Sequence, residues 1–215
     1  MAMLSLDDVN DIRARVGRAH ELAAARFRTA FAQQADLPPN ERWHVHLSIQ
    51  AAALVECARY VRLPEGQGIR YRIDGQTIFP YVAASDVEPP AADSLAPRVV
   101  LYPHFVVERL EPAVFEYWLI VSELLSTPAW AATKVIATAA EYDDALRRMK
   151  RPQIVHALIT TFLPSVELRD DGTAMLEVTV DSRFGEQRIE RRALILHRNQ
   201  ELEFHSRELI AEDQG

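Results

Sequence analysis

The side chains best suited to acid–base chemistry in this chain are His156, His197, His205, Glu116 and Tyr117. An imidazole exchanging protons near neutral pH beside a carboxylate is the minimal general acid–base pair. His197 and His205 lie among Arg188, Arg191, Arg198, Arg207, Glu203 and Glu208. Those charges also satisfy a purely structural reading. If Asn199-Gln200 is a two-residue turn, Arg198 faces Glu201, Ile195 faces Phe204 and Arg191 faces Glu208. Opposite charges and apolar groups then meet across neighbouring strands, as cross-strand stabilisation requires, with no function implied.

Two further clusters invite chemistry. His44 and His46 share one side of a strand but diverge by about 200° on a helix, since a helix has 3.6 residues per turn. No third ligand follows at a recognised spacing, so neither a metal site nor a cofactor is expected. Arg147, Arg148, Lys150 and Arg151 form a basic run that suits phosphate or RNA contact. They also end an expected helix, where cations offset the negative end of its dipole. No aromatic residue interleaves them. A nucleophile elbow, a phosphate loop, a dinucleotide fingerprint and paired cysteines are all missing from the sequence. Asp170-Asp171-Gly172 reads as a turn, because the alternating ligand positions of a calcium loop are missing.

The elements that must position these groups are clearest in the last third. Val166–Arg169, Met175–Val180, Gln187–His197 and Glu201–Ile210 alternate apolar and polar residues, and turn-rich stretches separate them. A period of two means an antiparallel sheet with one buried face. Upstream, Val9, Ile12, Val16, Ala19, Ala23 and Ala30 recur at helical spacing, giving an amphipathic helix over residues 6–35 that ends at Pro38-Pro39. The spacing from Trp43 to Val61 predicts a second helix reaching Leu63-Pro64, although residues 43–49 also alternate as a strand would. Asp74-Gly75 between two alternating runs predicts a hairpin over 69–82. Residues 83–97, with Pro89, Pro90 and Pro97, read as an exposed connection, followed by a strand at Arg98–Tyr102 that His104–Leu110 resumes beyond Pro103. Residues 112–126 are apolar nearly all round and predict a buried core helix, with Trp118 at its centre. Thr138 and Glu141 form a capping box for a helix through Met149, preceded at 133–137 by a strand or an extra helical turn. Pro152 at a first helical position points to another helix, ending at Phe162.

At 215 residues with 48% hydrophobic and 26% charged content, the chain has ordinary globular composition. The expectation is a single α+β domain. Its parts are a helical N-terminal part (1–63), a mixed part of hairpin, loop and core helices (64–165), and a C-terminal antiparallel sheet (166–210). The formal net charge of −7 disfavours nonspecific nucleic-acid binding. Arginine supplies all but two of the cations, the exceptions being Lys134 and Lys150, and the dispersed arginines read as composition bias. Cys57 is the only cysteine. With no internal disulfide to form, no signal-peptide pattern at the start and no membrane-spanning apolar run, a soluble cytoplasmic protein is expected.

Long N-terminal helices followed by a curved antiparallel sheet resemble, in element order alone, the cone-shaped folds related to nuclear transport factor 2. The resemblance carries no motif and no functional residue. Three functions are open. The leading one is a non-catalytic binding or assembly protein, oligomeric or meeting a protein partner through the 6–35 helix. The second is a small enzyme with a pocket between sheet and helices, using the histidines, Glu116 and Tyr117. The third is nucleic-acid binding through residues 147–151.

Overall fold

The computed structural model describes residues 1–33, 39–74, 77–84, 101–125, 133–156, 161–183 and 186–215. The first half comprises β1 (Ala2–Met3), α1 (Leu6–Gln33), α2 (Pro39–Cys57), β2 (Val61–Arg62), β3 (Gln67–Asp74), β4 (Thr77–Ala84), a 3-10 turn (Tyr102–His104) and β5 (Val106–Val107). Then follow α3 (Glu111–Leu125), β6 (Thr133–Ile136), α4 (Ala139–Arg148), β7 (Pro152–Ile154), β8 (Ser165–Leu168), β9 (Ala174–Ser182), β10 (Arg188–Leu196) and β11 (Leu202–Asp213). The fold is α+β, with antiparallel sheets and a long N-terminal helix. The chain divides into two compact units, Asp11–Glu108 and Met1–Asn10 with Arg109–Gly215.

In the unit Asp11–Glu108, α2 packs on the β3–β4 hairpin, and β2 pairs with β5. Arg26 grips Glu56 with two hydrogen bonds, of 2.7 and 3.0 Å, joining α1 to α2. The expected second helix stops at Cys57, short of Pro64. Beyond it the backbone is drawn into a ladder: Val61 pairs with Val107, and the Tyr60 carbonyl accepts from Glu108 N at 3.1 Å. The hairpin is present, with Asp74 paired to Thr77. Residues 75 and 76 between them lie outside the described residues, as do 85–97 and most of the strand expected at Arg98–Tyr102. Tyr102 itself begins the 3-10 turn that holds Pro103.

The other unit is built on a seven-stranded antiparallel sheet, ordered β1-β8-β9-β10-β11-β7, with β6 beside β8 on the same edge of β9. Register divides its side chains between two faces. Leu176, Val178 and Val180 of β9 share one face with Leu194 and Leu196 of β10 and with Val166 of β8. This apolar face is the partner that α3 needs, because nine of its residues are buried and it packs on β8 and β9. Trp118 is 3% exposed and stacks on Phe115, with ring centroids 5.9 Å apart.

The opposite face is covered at one end. There α4 contributes Ala145, with Met149 just after it, to a core with Ile136, Ile189, Ile210 and Ala211. Thr138 caps α4 as its sequence required: its hydroxyl accepts from Glu141 N at 3.2 Å. The Glu141 carboxylate reaches back to Ala137 N at 2.8 Å. The helix expected from Pro152 is instead strand β7, whose Pro152, Gln153 and Ile154 pair with Asp213, Glu212 and Ala211. Proline needs no donor at the start of an edge strand, and the β-branched Ile154 and Val155 favour extended backbone. Residues 157–160 lie outside the described residues.

The turn of the last hairpin also departs from the expected form. His197 N donates to Glu201 O at 2.9 Å, and Gln200 N donates to His197 O at 3.0 Å. The loop is therefore three residues, Arg198 to Gln200, with Gln200 at φ 65°. Type I turns followed by a left-handed residue close three-residue hairpins in this way. Ile195 consequently pairs with Glu203, and Leu194 with Phe204. An extra residue on β11, His205, then brings Arg191 opposite Glu208, as the sequence suggested.

Candidate functional site

The first face also carries Glu190 and Arg192 of β10, and the second carries polar residues on all three strands β9, β10 and β11. Glu177, Thr179 and Asp181 on β9 pair with Ala193, Arg191 and Ile189 on β10. On β11, Ser206, Glu208 and Ala211 complete the three rows. Side chains alternate between faces, so this whole set points one way. The row of Asp181, Ile189 and Ala211 belongs to the end that α4 covers. Beyond it Glu177, Arg191, Ala193, Ser206 and Glu208 line an open depression of about 270 Å³.

Its electrostatics are uneven. Arg191 Nη2 donates to Glu177 Oε2 at 2.7 Å, compensating that carboxylate. Among the described residues Glu208 has no such close cation; the nearest basic group in contact with it is His156, whose Nδ1 is 3.9 Å from Glu208 Oε1. That separation is too long for a hydrogen bond. The Ser206 hydroxyl makes no hydrogen bond to any described residue, so no base stands ready to activate it. Ala193, small and buried, forms an apolar floor.

The closed end is held by Asp181, whose side chain is wholly shielded from solvent. Its carboxylate accepts from Gln187 Nε2 at 2.9 Å and from Arg148 Nη2 at 3.2 Å, and Arg183 Nη2 lies 3.5 Å away. A buried carboxylate needs partners of this kind to offset lost hydration. The group therefore fastens the end of α4 to the sheet.

The five acid–base candidates do not meet. Glu116 and Tyr117 are buried on α3, and the Tyr117 hydroxyl donates to Gln200 O at 2.7 Å. His197 Nε2 lies 2.7 Å from Glu203 Oε2, and both side chains are substantially exposed. His205 is the exposed extra residue of β11. None of the five lines the depression, and His156 only comes within 3.9 Å of its Glu208. In the basic run, Arg148 is committed to Asp144 and Asp181. Lys150 N and Arg151 N donate to the Asp213 carboxylate at 3.0 and 2.8 Å. Those two backbone bonds, Lys150 first, hold the Asp213 carboxyl below its ordinary range. The Arg147, Lys150 and Arg151 side chains are exposed.

His44 and His46 lie on helix α2, not on a strand; the His44 and Trp43 side chains lie outside the described residues. The His46 ring meets Phe27 edge-on, with centroids 4.6 Å apart, and burial pushes its pKa down. Among the described residues no group of three His, Cys, Asp or Glu side chains is placed to hold a metal ion.

Sequence reasoning singled out Arg191 and Glu208 only as a cross-strand pair, and it missed Glu177 and Ser206 as site residues. Their signal was parity: polar residues at alternate positions of β9 and β11 on the face opposite the α3 core. The chain matches no protein-family model, no curated protein and no solved structure. The likeness to the folds related to nuclear transport factor 2 therefore rests on element order alone.

Proposed function

We propose that this chain is a non-catalytic binding protein whose ligand surface is the open polar face of β9, β10 and β11. The observation that carries this reading is the depression itself. It gathers a guanidinium, two carboxylates and a hydroxyl from three adjacent strands over a small apolar floor. Concave sites with a few convergent polar groups on a rigid scaffold are the usual form of a ligand site. Catalysis is less well supported, because Ser206 lacks a base and His156 stands 3.9 Å from Glu208. Self-association through α1 is also less favoured. Val9, Ile12, Ala19 and Ala23 of its apolar stripe are already buried within the single chain.

The test is an NMR screen of the isotope-labelled chain against a mixture of small polar fragments. The reading expects saturable shifts clustered on Glu177, Arg191, Ser206 and Glu208. No clustered shift with any fragment would refute it, and fragment turnover in the same tube would move the case to the enzyme reading. The assembly half of the question is settled separately, by light scattering across the micromolar range.

A further inference from the structure

We propose that the depression takes a small organic cation, an amine or guanidine on a short carbon chain; this deepens the binding reading above and rests on it. Charge balance points there. The lining holds two carboxylates against one guanidinium, and that guanidinium is already hydrogen-bonded to Glu177 at 2.7 Å. Glu208 is thus the group with charge to offer. Its one basic contact among the described residues, the His156 ring at 3.9 Å, is too distant for a hydrogen bond. An anion entering here would face Glu208 directly and would compete with Glu177 for Arg191.

The remaining lining suits the rest of such a ligand. Ser206 offers a hydroxyl oxygen that accepts no hydrogen bond from a described residue, and Ala193 offers an apolar floor for methylene groups. The depression, at about 270 Å³, has room for a ligand of roughly ten non-hydrogen atoms, given ~30 Å³ per water displaced. A divalent metal ion is a poorer occupant. Hard cations require six or more oxygen ligands, and no group of three suitable side chains is present among the described residues. The net charge of −7 draws cations towards the molecule as a whole.

The experiment titrates the isotope-labelled full chain with agmatine and, separately, with glutarate, a dianion of similar length. Agmatine is expected to shift the amides of Glu177, Arg191, Ser206 and Glu208 saturably. Glu208→Gln should weaken that binding at least tenfold, with Glu208→Asp restoring part of it. Raising the salt from low to physiological strength should weaken it further. Glutarate moving these amides while agmatine does not would overturn the cation assignment and leave the binding reading standing. If neither compound nor the fragment mixture moves them, both fall together. Agmatine binding that Glu208→Gln leaves unchanged would also overturn the assignment.

Discussion

Two turns at one end of the sheet show how single residues set this fold. Arg169 N donates to Thr173 O at 2.9 Å and Gly172 N to Arg169 O at 3.0 Å, repeating the bond pattern of the 197–201 turn. The left-handed position is glycine in one and glutamine in the other, at φ 84° and 65°. Left-handed backbone costs a side-chain-bearing residue about 1–2 kcal/mol. Gln200→Gly should therefore stabilise the protein by about 1 kcal/mol after the extra freedom of glycine in the unfolded chain is counted. That corresponds to a rise in Tm of about 2–4 °C for a chain of this length. An unchanged or lower Tm would mean that the Gln200 side chain matters more than its backbone.

Gly172→Ala should do the reverse. A Cβ there would also lie 2.6 Å from Arg198 Nε, so the arginine must move as well. Tyr117→Phe removes the hydroxyl that holds Gln200 O, and its cost should be about 1 kcal/mol. Because Tyr117 and Gln200 share that contact, their effects should not add.

Asp213 gives a pH prediction at the same scale. Its folded carboxyl is held below the unfolded value, so the unfolded chain takes up the proton first as pH falls. The stabilisation is then complete above about pH 4, near the ordinary aspartate value, and is lost as pH drops through the lower folded value. Asp171 behaves alike, through its side-chain and backbone hydrogen bonds from Thr173. Urea midpoints measured from pH 7 to pH 3 should fall less steeply for Asp213→Asn than for wild type. Parallel curves would show that the carboxylate contributes no acid sensitivity.

Among the elements, α3 carries the clearest energetic expectation. Trp118 is buried against Phe115 and the apolar sheet face, so Trp118→Ala should cost about 3–5 kcal/mol. With Trp43 and Trp130 replaced by phenylalanine, the emission of Trp118 should be that of an indole shielded from water. Water-like emission, or an alanine variant melting within a degree or two of wild type, would contradict the packing. This helix was legible because its apolar residues run nearly all round, a pattern that only burial explains. The last four strands were legible through alternation.

Where sequence reading failed, local signals were balanced. Pro152 suits a helix start and an edge-strand start equally well, and pairing with Ala211–Asp213 decided for the strand. The turn at 198–200 was misread because glutamine does not advertise a left-handed position as glycine does. His205 was invisible as an extra residue, since an added polar residue changes no composition. The Arg191–Glu208 pairing survived because that extra residue offsets the longer turn. Arg198–Glu201 and Ile195–Phe204, nearer the turn, did not survive. The depression was hidden for a related reason: its residues come from three strands, and only the register brings them to one face.

At the scale of the molecule, β11 closes one side of the main sheet. Among the described residues its outer edge is bonded only from Ile210 to Asp213, where β7, Val155 N and His156 N meet it. An open strand edge invites association, and natural sheets counter this with charges and bulges. Here Glu203, Arg207, Glu208 and the extra residue His205 serve that purpose. Deleting His205 should flatten the edge, and light scattering should show more self-association than in wild type. Unchanged scattering would mean that the charges alone suffice. The same strand supplies Ser206 and Glu208, so the edge and the proposed ligand surface share one element.

The central claim is that the concavity over Ala193 is where this protein binds. Ala193→Leu places a larger side chain on that floor, where Ala193 lines the depression. With the fragments that bind wild type, the NMR shifts at Glu177, Ser206 and Glu208 should disappear while the Tm stays within about 2–4 °C, the equivalent of roughly 1 kcal/mol at this size. Fragment shifts that persist undiminished in a folded Ala193→Leu protein would contradict the claim.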